Sequence, residues 1–292
     1  MKRVIRITVT VLAALAVFLL VAPQIVHYNS LQIVRERGET VTEPVENIVI
    51  TAKKADVFIK PSEDGLVHVY IKERGDEPVL VSAENGTLTV TTESGSLQTE
   101  QLLFAPVLGE NSAGNWLDRL FRYPTHEPLY ISVRLPGDAY GQLCASLTGC
   151  GLEIETPQTF ASADLTVTNG HLWISYADIG SLTGRTEYGD IRTVRVTAGS
   201  ASLTAEGGGI IAGIQAREEL DLLALGGDIL PEDCDAPVIR MTAGGGDVRG
   251  TLHSGKRFTV TAGKGTVSCP PDAEDGFCAV AVTDGSVELK LK

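Results

Sequence analysis

A glycine followed two residues later by an aliphatic side chain recurs through the second half of the chain at a nearly fixed spacing. The pairs are Gly170/Leu172, Gly189/Ile191, Gly208/Ile210, Gly227/Ile229, Gly246/Val248, Gly265/Val267 and Gly285/Val287. Five of the six steps are 19 residues and the last is 20. Seven, five and three residues ahead of each glycine stand small or apolar side chains, as in Ala163, Leu165 and Val167, Leu220, Leu222 and Ala224, or Phe258, Val260 and Ala262. Such period-two alternation sends one set of side chains inward and the other outward along a strand. Glycine suits the intervening turn because it reaches φ > 0 without a Cβ clash. A unit this short cannot bury its own apolar face, so neighbouring copies must stack. Parallel stacking at about 4.8 Å per rung predicts an all-β fold, a parallel β-solenoid about 30 Å long over seven rungs, with two or three short strands per coil. One inward column is expected from Leu165, Leu203, Leu222, Met241, Val260 and Val280, each above the last.

Outside this block the pattern changes. Residues 7–22 (ITVTVLAALAVFLLVA) carry no charge, and apolar character continues to Val26. About 20 such residues span a hydrocarbon core as a helix. Lys2, Arg3 and Arg6 precede them, so residues 1–26 are expected to be an uncleaved single-pass anchor with a cytoplasmic N-terminus and the bulk of the chain extracytoplasmic. A cleaved signal peptide is the rival, but Leu20-Val21-Ala22 lacks a small residue three before the cut. Residues 27–47 read as a polar stalk. Residues 48–135 read as an irregular β entry region, with Asn85-Gly86 as a hairpin signal. Within it, 98–128 resembles a short helical insertion whose Trp116, Leu117, Leu120 and Phe121 share one face. Residues 136–292 are the regular solenoid. Its final strand, 287–292, is expected to leave an open edge that Lys290 and Lys292 protect against self-association.

Without the three N-terminal basic residues, 21 Lys and Arg face 37 Asp and Glu, a formal charge of −16 on the exported part. Such a surface repels nucleic acid and anionic lipid headgroups. Cationic peptides or metal-bridged wall polymers are the partners it would admit.

Signs of chemistry are few. Asp190, Asp228 and Asp247 each follow a repeat glycine and would stack at about one rung, with Gly209 breaking the column. Calcium binding or acid–base cleavage of a polysaccharide could use such carboxylates. Turn chemistry explains Gly-Asp more simply, since Asp bonds its own backbone there. Gly250 to Arg257 approaches a phosphate-binding loop but has Arg257 where a hydroxyl is needed and no following helix. His27, His68, His126, His171 and His253 show no metal-ligand spacing. No cofactor or metal is implied. Of five cysteines, Cys144 and Cys278 fall at the inward position seven before a glycine. Cys269 and Cys278 flank the one lengthened repeat and are the candidate disulfide.

An export anchor, the strand ISVRLPG at 131–137 and the serial copies LTVTNGHLWI, RTEYGDIRTV, LLALGGDILP, MTAGGGDVRG and VAVTDGSVEL resemble the putative-adhesin β-strand-repeat family of bacterial envelope proteins, a domain of unknown function. The likeness covers residues 45–292. It implies a parallel β-solenoid at the cell surface, often beside envelope-stress systems, with no established chemistry.

The chain is therefore expected to be a membrane-anchored extracytoplasmic scaffold or binding module. Its working contact would be an envelope protein, a wall polymer or its own copies. Two readings from other classes are a carbohydrate-active β-helix enzyme using stacked carboxylates and the extracytoplasmic part of an envelope-stress sensor. Three residues after successive repeat glycines stand Trp173, Arg192, Ile211, Leu230 and Arg249, where outward side chains are expected. Trp173, Ile211 and Leu230 form a candidate binding or packing stripe, covered either by segment 98–128 or by a partner.

Overall fold

The computed structural model describes residues 34–74, 78–92, 129–137 and 139–292. The expected anchor and the insertion at 98–128 lie outside the described residues. Two units are distinguished: Met1–Glu36 with Lys72–Pro78 and Glu93–Glu127, and Arg37–Ile71 with Val79–Thr92 and Pro128–Lys292. Few residues of the first are described, and the strands lie almost wholly in the second. No helix among the described residues is long and apolar enough to cross a membrane.

Alternating side chains produce twenty-three strands among the described residues. The entry end holds β1 (Val34–Val41), β2 (Asn47–Lys53), β3 (Asp56–Pro61), β4 (Val67–Arg74), β5 (Val79–Glu84), β6 (Thr87–Thr92) and β7 (Tyr130–Leu135). Two-stranded rungs follow: β8 (Ala139–Thr148) with β9 (Leu152–Glu155), β10 (Thr159–Thr168) with β11 (Leu172–Ser175), and β12 (Asp178–Thr186) with β13 (Ile191–Val194). Next come β14 (Val196–Ala205) with β15 (Ile210–Ala212), β16 (Ile214–Ala224) with β17 (Ile229–Cys234), and β18 (Val238–Ala243) with β19 (Val248–Leu252). The last are β20 (Arg257–Ala262), β21 (Val267–Ser268), β22 (Phe277–Val282) and β23 (Val287–Leu291). Strand β1 falls within the stretch expected to be a patternless stalk.

The strands form two sheets. Sheet A has twelve, in the order β1-β4-β7-β3-β9-β11-β13-β15-β17-β19-β23-β21. Sheet B has eleven, in the order β20-β22-β18-β16-β14-β12-β10-β8-β2-β6-β5. Every pairing of described register is parallel except that of β5 with β6. Through the regular rungs each residue meets the one 19 positions on, as in Leu172↔Ile191↔Ile210↔Ile229↔Val248 in sheet A. These five are fully buried and face the inner side of sheet B, where Leu165, Leu203, Leu222 and Met241 are equally enclosed.

Two expectations are corrected at the C-terminal end. Strands β22 and β23 do not cap the solenoid. They lie between β18/β19 and β20/β21, so Val280 stacks on Met241, and Val260, on the outer rung, is only half-buried. The unpaired edge therefore belongs mainly to β20 and β21, and within 287–292 only the part beyond Glu288, which two-residue β21 does not reach, lacks a strand partner on that side. Strand length gives the reason: β19 offers five residues, β23 matches all five, and β21 has only two before Cys269 and Pro270-Pro271. A proline cannot donate to a ladder, so the truncated strand sits where one side needs no partner.

The repeat glycines also have a different reason from the expected one. Of the seven, only Gly189 has positive φ. They are required because turns of successive rungs touch. A Cβ on Gly246 would fall 2.3 Å from the Gly227 carbonyl oxygen, and one on Gly285 would fall 2.2 Å from that of Gly246.

Candidate functional site

Outward side chains of sheet A form one central column. Phe58, Glu153, Trp173, Arg192, Ile211 and Leu230 pair in register from β3 to β17, with Arg249 and Glu288 continuing it on β19 and β23. The three stripe residues thus share one column and one face. Trp173 is 36% exposed, while Ile211 and Leu230 are half-buried.

Aromatic rings and cations are interleaved towards the entry end of this face. The Arg134 guanidinium lies 4.9 Å from the Tyr70 ring centroid, Lys60 Nζ lies 5.4 Å from Phe58, and Arg192 lies 5.2 Å from Trp173. At the adjoining corner Arg195 lies 5.9 Å from Tyr176, which is 50% exposed. Sequence reasoning singled out Trp173 but missed Tyr176 and Arg195. Their 19-residue offset was the signal available.

Sheet B is different. Its outer face carries Thr166, Thr183, Ser202 and Thr204 beside the ion pairs Arg185–Glu206 and Arg240–Asp221. A shallow depression of about 170 Å³ lies among Val49, Thr51, Cys144, Ser146, Asp164 and Thr166. Cys144 is here because the step from β8 to β10 is 20 residues, one more than the repeat. Leu143 therefore faces inward and Cys144 outward, contrary to expectation.

The aspartates beside the repeat glycines act between rungs, not on their own turns. Asp190 Oδ1 accepts from Gly209 N at 2.8 Å, Asp228 Oδ1 from Asp247 N at 2.8 Å, and Asp247 Oδ1 from Ser286 N at 2.7 Å. Arg249 adds ion pairs to the free oxygens of Asp228 and Asp247, at 3.5 and 2.9 Å. No group of acidic, His or Cys side chains fit to hold a metal occurs among the described residues.

The segment 250–257 that approached a phosphate loop has another use. Lys256 is 1% exposed, and its Nζ reaches Asp235 Oδ1 at 2.7 Å, Ser254 Oγ at 2.6 Å and the Asp275 carbonyl at 3.1 Å. Burial pushes the Asp235 carboxyl up, but hydrogen bonds from Lys256 and then Ser254 hold it below its ordinary value. Nearby, Lys292 and then His253 lower Asp233 through side-chain hydrogen bonds.

All five cysteines are free thiols, so the expected Cys269–Cys278 bridge is not formed. Cys278 is buried in sheet B between Ile239 and Phe258, and burial pushes its thiol up to about 12.

No curated protein matches the chain. A solved structure described as a putative adhesin from Parabacteroides merdae is similar, with a TM-score of 0.54 and 13% identity over 88% of this chain and 96% of that one. Another putative adhesin, from Parabacteroides distasonis, has a TM-score of 0.48 and 10% identity over 89% and 98%. At such identities the likeness concerns the fold alone. The family model Toastrack DUF4097 matches residues 45–292. The stacked rungs and their glycine turns are thus those of a known domain, and the chain belongs to the Toastrack DUF4097 family.

Proposed function

We propose that this protein is a non-catalytic binding scaffold at a bacterial cell envelope, anchored by residues 7–26, with the outer face of sheet A as its working surface. The observation that carries this reading is the exposed aromatic and cationic column on a frame of in-register parallel strands. Residues that hold ligands are commonly displayed this way, with rotamers set by in-register neighbours. Surface rings such as Trp173 are frequent anchors of interfaces. The enzyme reading finds less support, because Asp228 and Asp247 are already engaged by backbone N–H groups and Arg249. A general acid or base needs a proton site open to substrate.

Trp173→Ala tests the reading. The expected result is near-unchanged thermal stability with loss of co-sedimentation with envelope membranes and wall material. A clear loss of stability instead would assign Trp173 to packing under a part of the chain outside the described residues. No change in either property would remove the column from function.

A further inference from the structure

Arg192 and Arg195 depart from the ion-pairing of the surrounding solenoid. Arg185 reaches Glu206, Arg217 reaches Asp178, Arg240 reaches Glu219 and Asp221, and Arg249 reaches Asp228 and Asp247. Arg192 and Arg195 are both exposed and meet no carboxylate among the described residues. Each lies instead over an aromatic ring of the neighbouring rung, Arg192 over Trp173 and Arg195 over Tyr176. The repeat causes this: Trp173-Ile-Ser-Tyr176 and Arg192-Thr-Val-Arg195 are 19 residues apart, so two rings of one rung align with two guanidiniums of the next. Arg134 on the ring of Tyr70 repeats the arrangement further along the same sheet, also without a carboxylate.

A guanidinium stacked on a ring uses its flat face and keeps its N–H edge available for a planar oxyanion. The stack also removes side-chain freedom before any ligand arrives, which lowers the cost of binding. In a chain with 37 acidic residues, neighbouring carboxylates could have filled these edges, as they do on Arg185, Arg217, Arg240 and Arg249. We propose that Arg192 and Arg195, held on Trp173 and Tyr176, bind an extended anionic glycan. Its carboxylate or phosphate groups take the guanidinium edges, and its sugar rings lie against the aromatic side chains.

This assignment rests on the binding-scaffold reading and names its ligand class. Spacing favours a polymer. The two arginines are three residues apart, with Arg195 just beyond the end of β13, and lie over different rings, so they present two separate guanidinium edges. Arg134 stands four strand spacings from β13, about 19 Å across the sheet. A linear chain bearing charge at intervals can engage several such points, each raising the effective concentration at the next. An acidic protein would fit less well, because its whole surface would face the formal charge of −16 on the exported part, 21 Lys and Arg against 37 Asp and Glu. A thin polymer meets only the row it lies on, since charges beyond about 8 Å are screened at physiological salt. Glu153, which pairs with Trp173 on β9, is the nearest carboxylate in the column and opposes the ligand.

The test uses the full chain in detergent micelles and three probes: polygalacturonate, its neutral methyl ester, and poly(glycerol phosphate). Expected are binding to one or both polyanions and none to the ester. Arg192→Gln with Arg195→Gln should lower affinity at least tenfold, while Arg185→Gln on sheet B leaves it unchanged. Glu153→Gln should raise it several-fold. Melting curves confirm that each variant is folded. Binding to polygalacturonate alone identifies a carboxylate glycan, and binding to poly(glycerol phosphate) alone a phosphate polymer. Equal binding of acid and ester, an unaffected double variant, or no polyanion binding would overturn the proposal. If Trp173→Ala still loses envelope binding while no polyanion binds, the scaffold reading stands and the glycan assignment falls. If both fail, both are withdrawn.

Discussion

Gly246 and Asp247 are adjacent in sequence and hold two successive inter-rung contacts, the glycine towards the Gly227 turn and the aspartate towards the Gly285 turn. The glycine lets two turns approach until a Cβ would meet a carbonyl oxygen at 2.3 Å. The aspartate accepts from the Ser286 N–H of the next rung at 2.7 Å. Backbone cannot give way as a flexible side-chain tip can, so Gly246→Ala should cost about 1–3 kcal/mol as overpacking. Asp247→Ala leaves a turn N–H without its acceptor and also removes a partner of Arg249, for about 1–3 kcal/mol. Urea midpoints of the two variants measure both. A Gly246→Ala protein as stable as the parent would show that the turns do not touch as described.

At the scale of elements, the exchanged order of the last two rungs needs a fastening, and the buried Lys256 supplies one. Its ammonium ties the link after β19 to Asp235 ahead of β18 and to the carbonyl of Asp275 ahead of β22. Removing one partner of a buried pair costs more than the pair contributes, because a charge remains enclosed. Asp235 sits below its ordinary value in the folded protein, so its contribution is complete above the unfolded carboxylate value of about 3.9 and fades as pH falls through the lower folded one. Asp233, lowered by Lys292 and His253, acts with the same sign. Melting temperature should therefore drop below about pH 4, and Asp235→Asn should lower it at neutral pH while flattening that acid dependence. Parallel acid profiles for parent and variant would remove Asp235 from the account.

For the whole molecule, the exchanged rungs decide which edge meets other molecules. Arg257 and Gly263 donate their N–H groups towards β22, so the alternate residues Phe258, Val260 and Ala262 direct theirs to the open side. The Asp272 carboxylate accepts the first of these at 3.0 Å, covering part of an edge that would otherwise template pairing. Asp272→Ala is expected to increase self-association in sedimentation velocity runs. Replacing Lys290 and Lys292 with Val should have a smaller effect, because β21 pairs β23 at Val287 and Glu288 and leaves a shorter open stretch there than along β20. The opposite ranking would place the open edge at β23.

The 19-residue period alone determined the parallel stacking, the identity of the inward columns and the sharing of one outer face by Trp173, Ile211 and Leu230. Period and alternation are local properties, and stacking preserves them from rung to rung. Where the count changes, that reading fails. The 20-residue step between β8 and β10 turned Cys144 outward, since one extra residue reverses every side chain of a strand. Only the tertiary structure decided the order of the last two rungs. Val260 and Val280, or Ala262 and Val282, fill the inner column equally well, so the repeat pattern could not choose between them. The choice came from five-residue β19 needing a five-residue partner. The guanidinium–ring pairs were likewise legible as an offset between WISY and RTVR, but not as contacts. Which faces of those side chains meet, and which edges stay free, depends on how far apart the rungs lie and on which carboxylates come within reach in space.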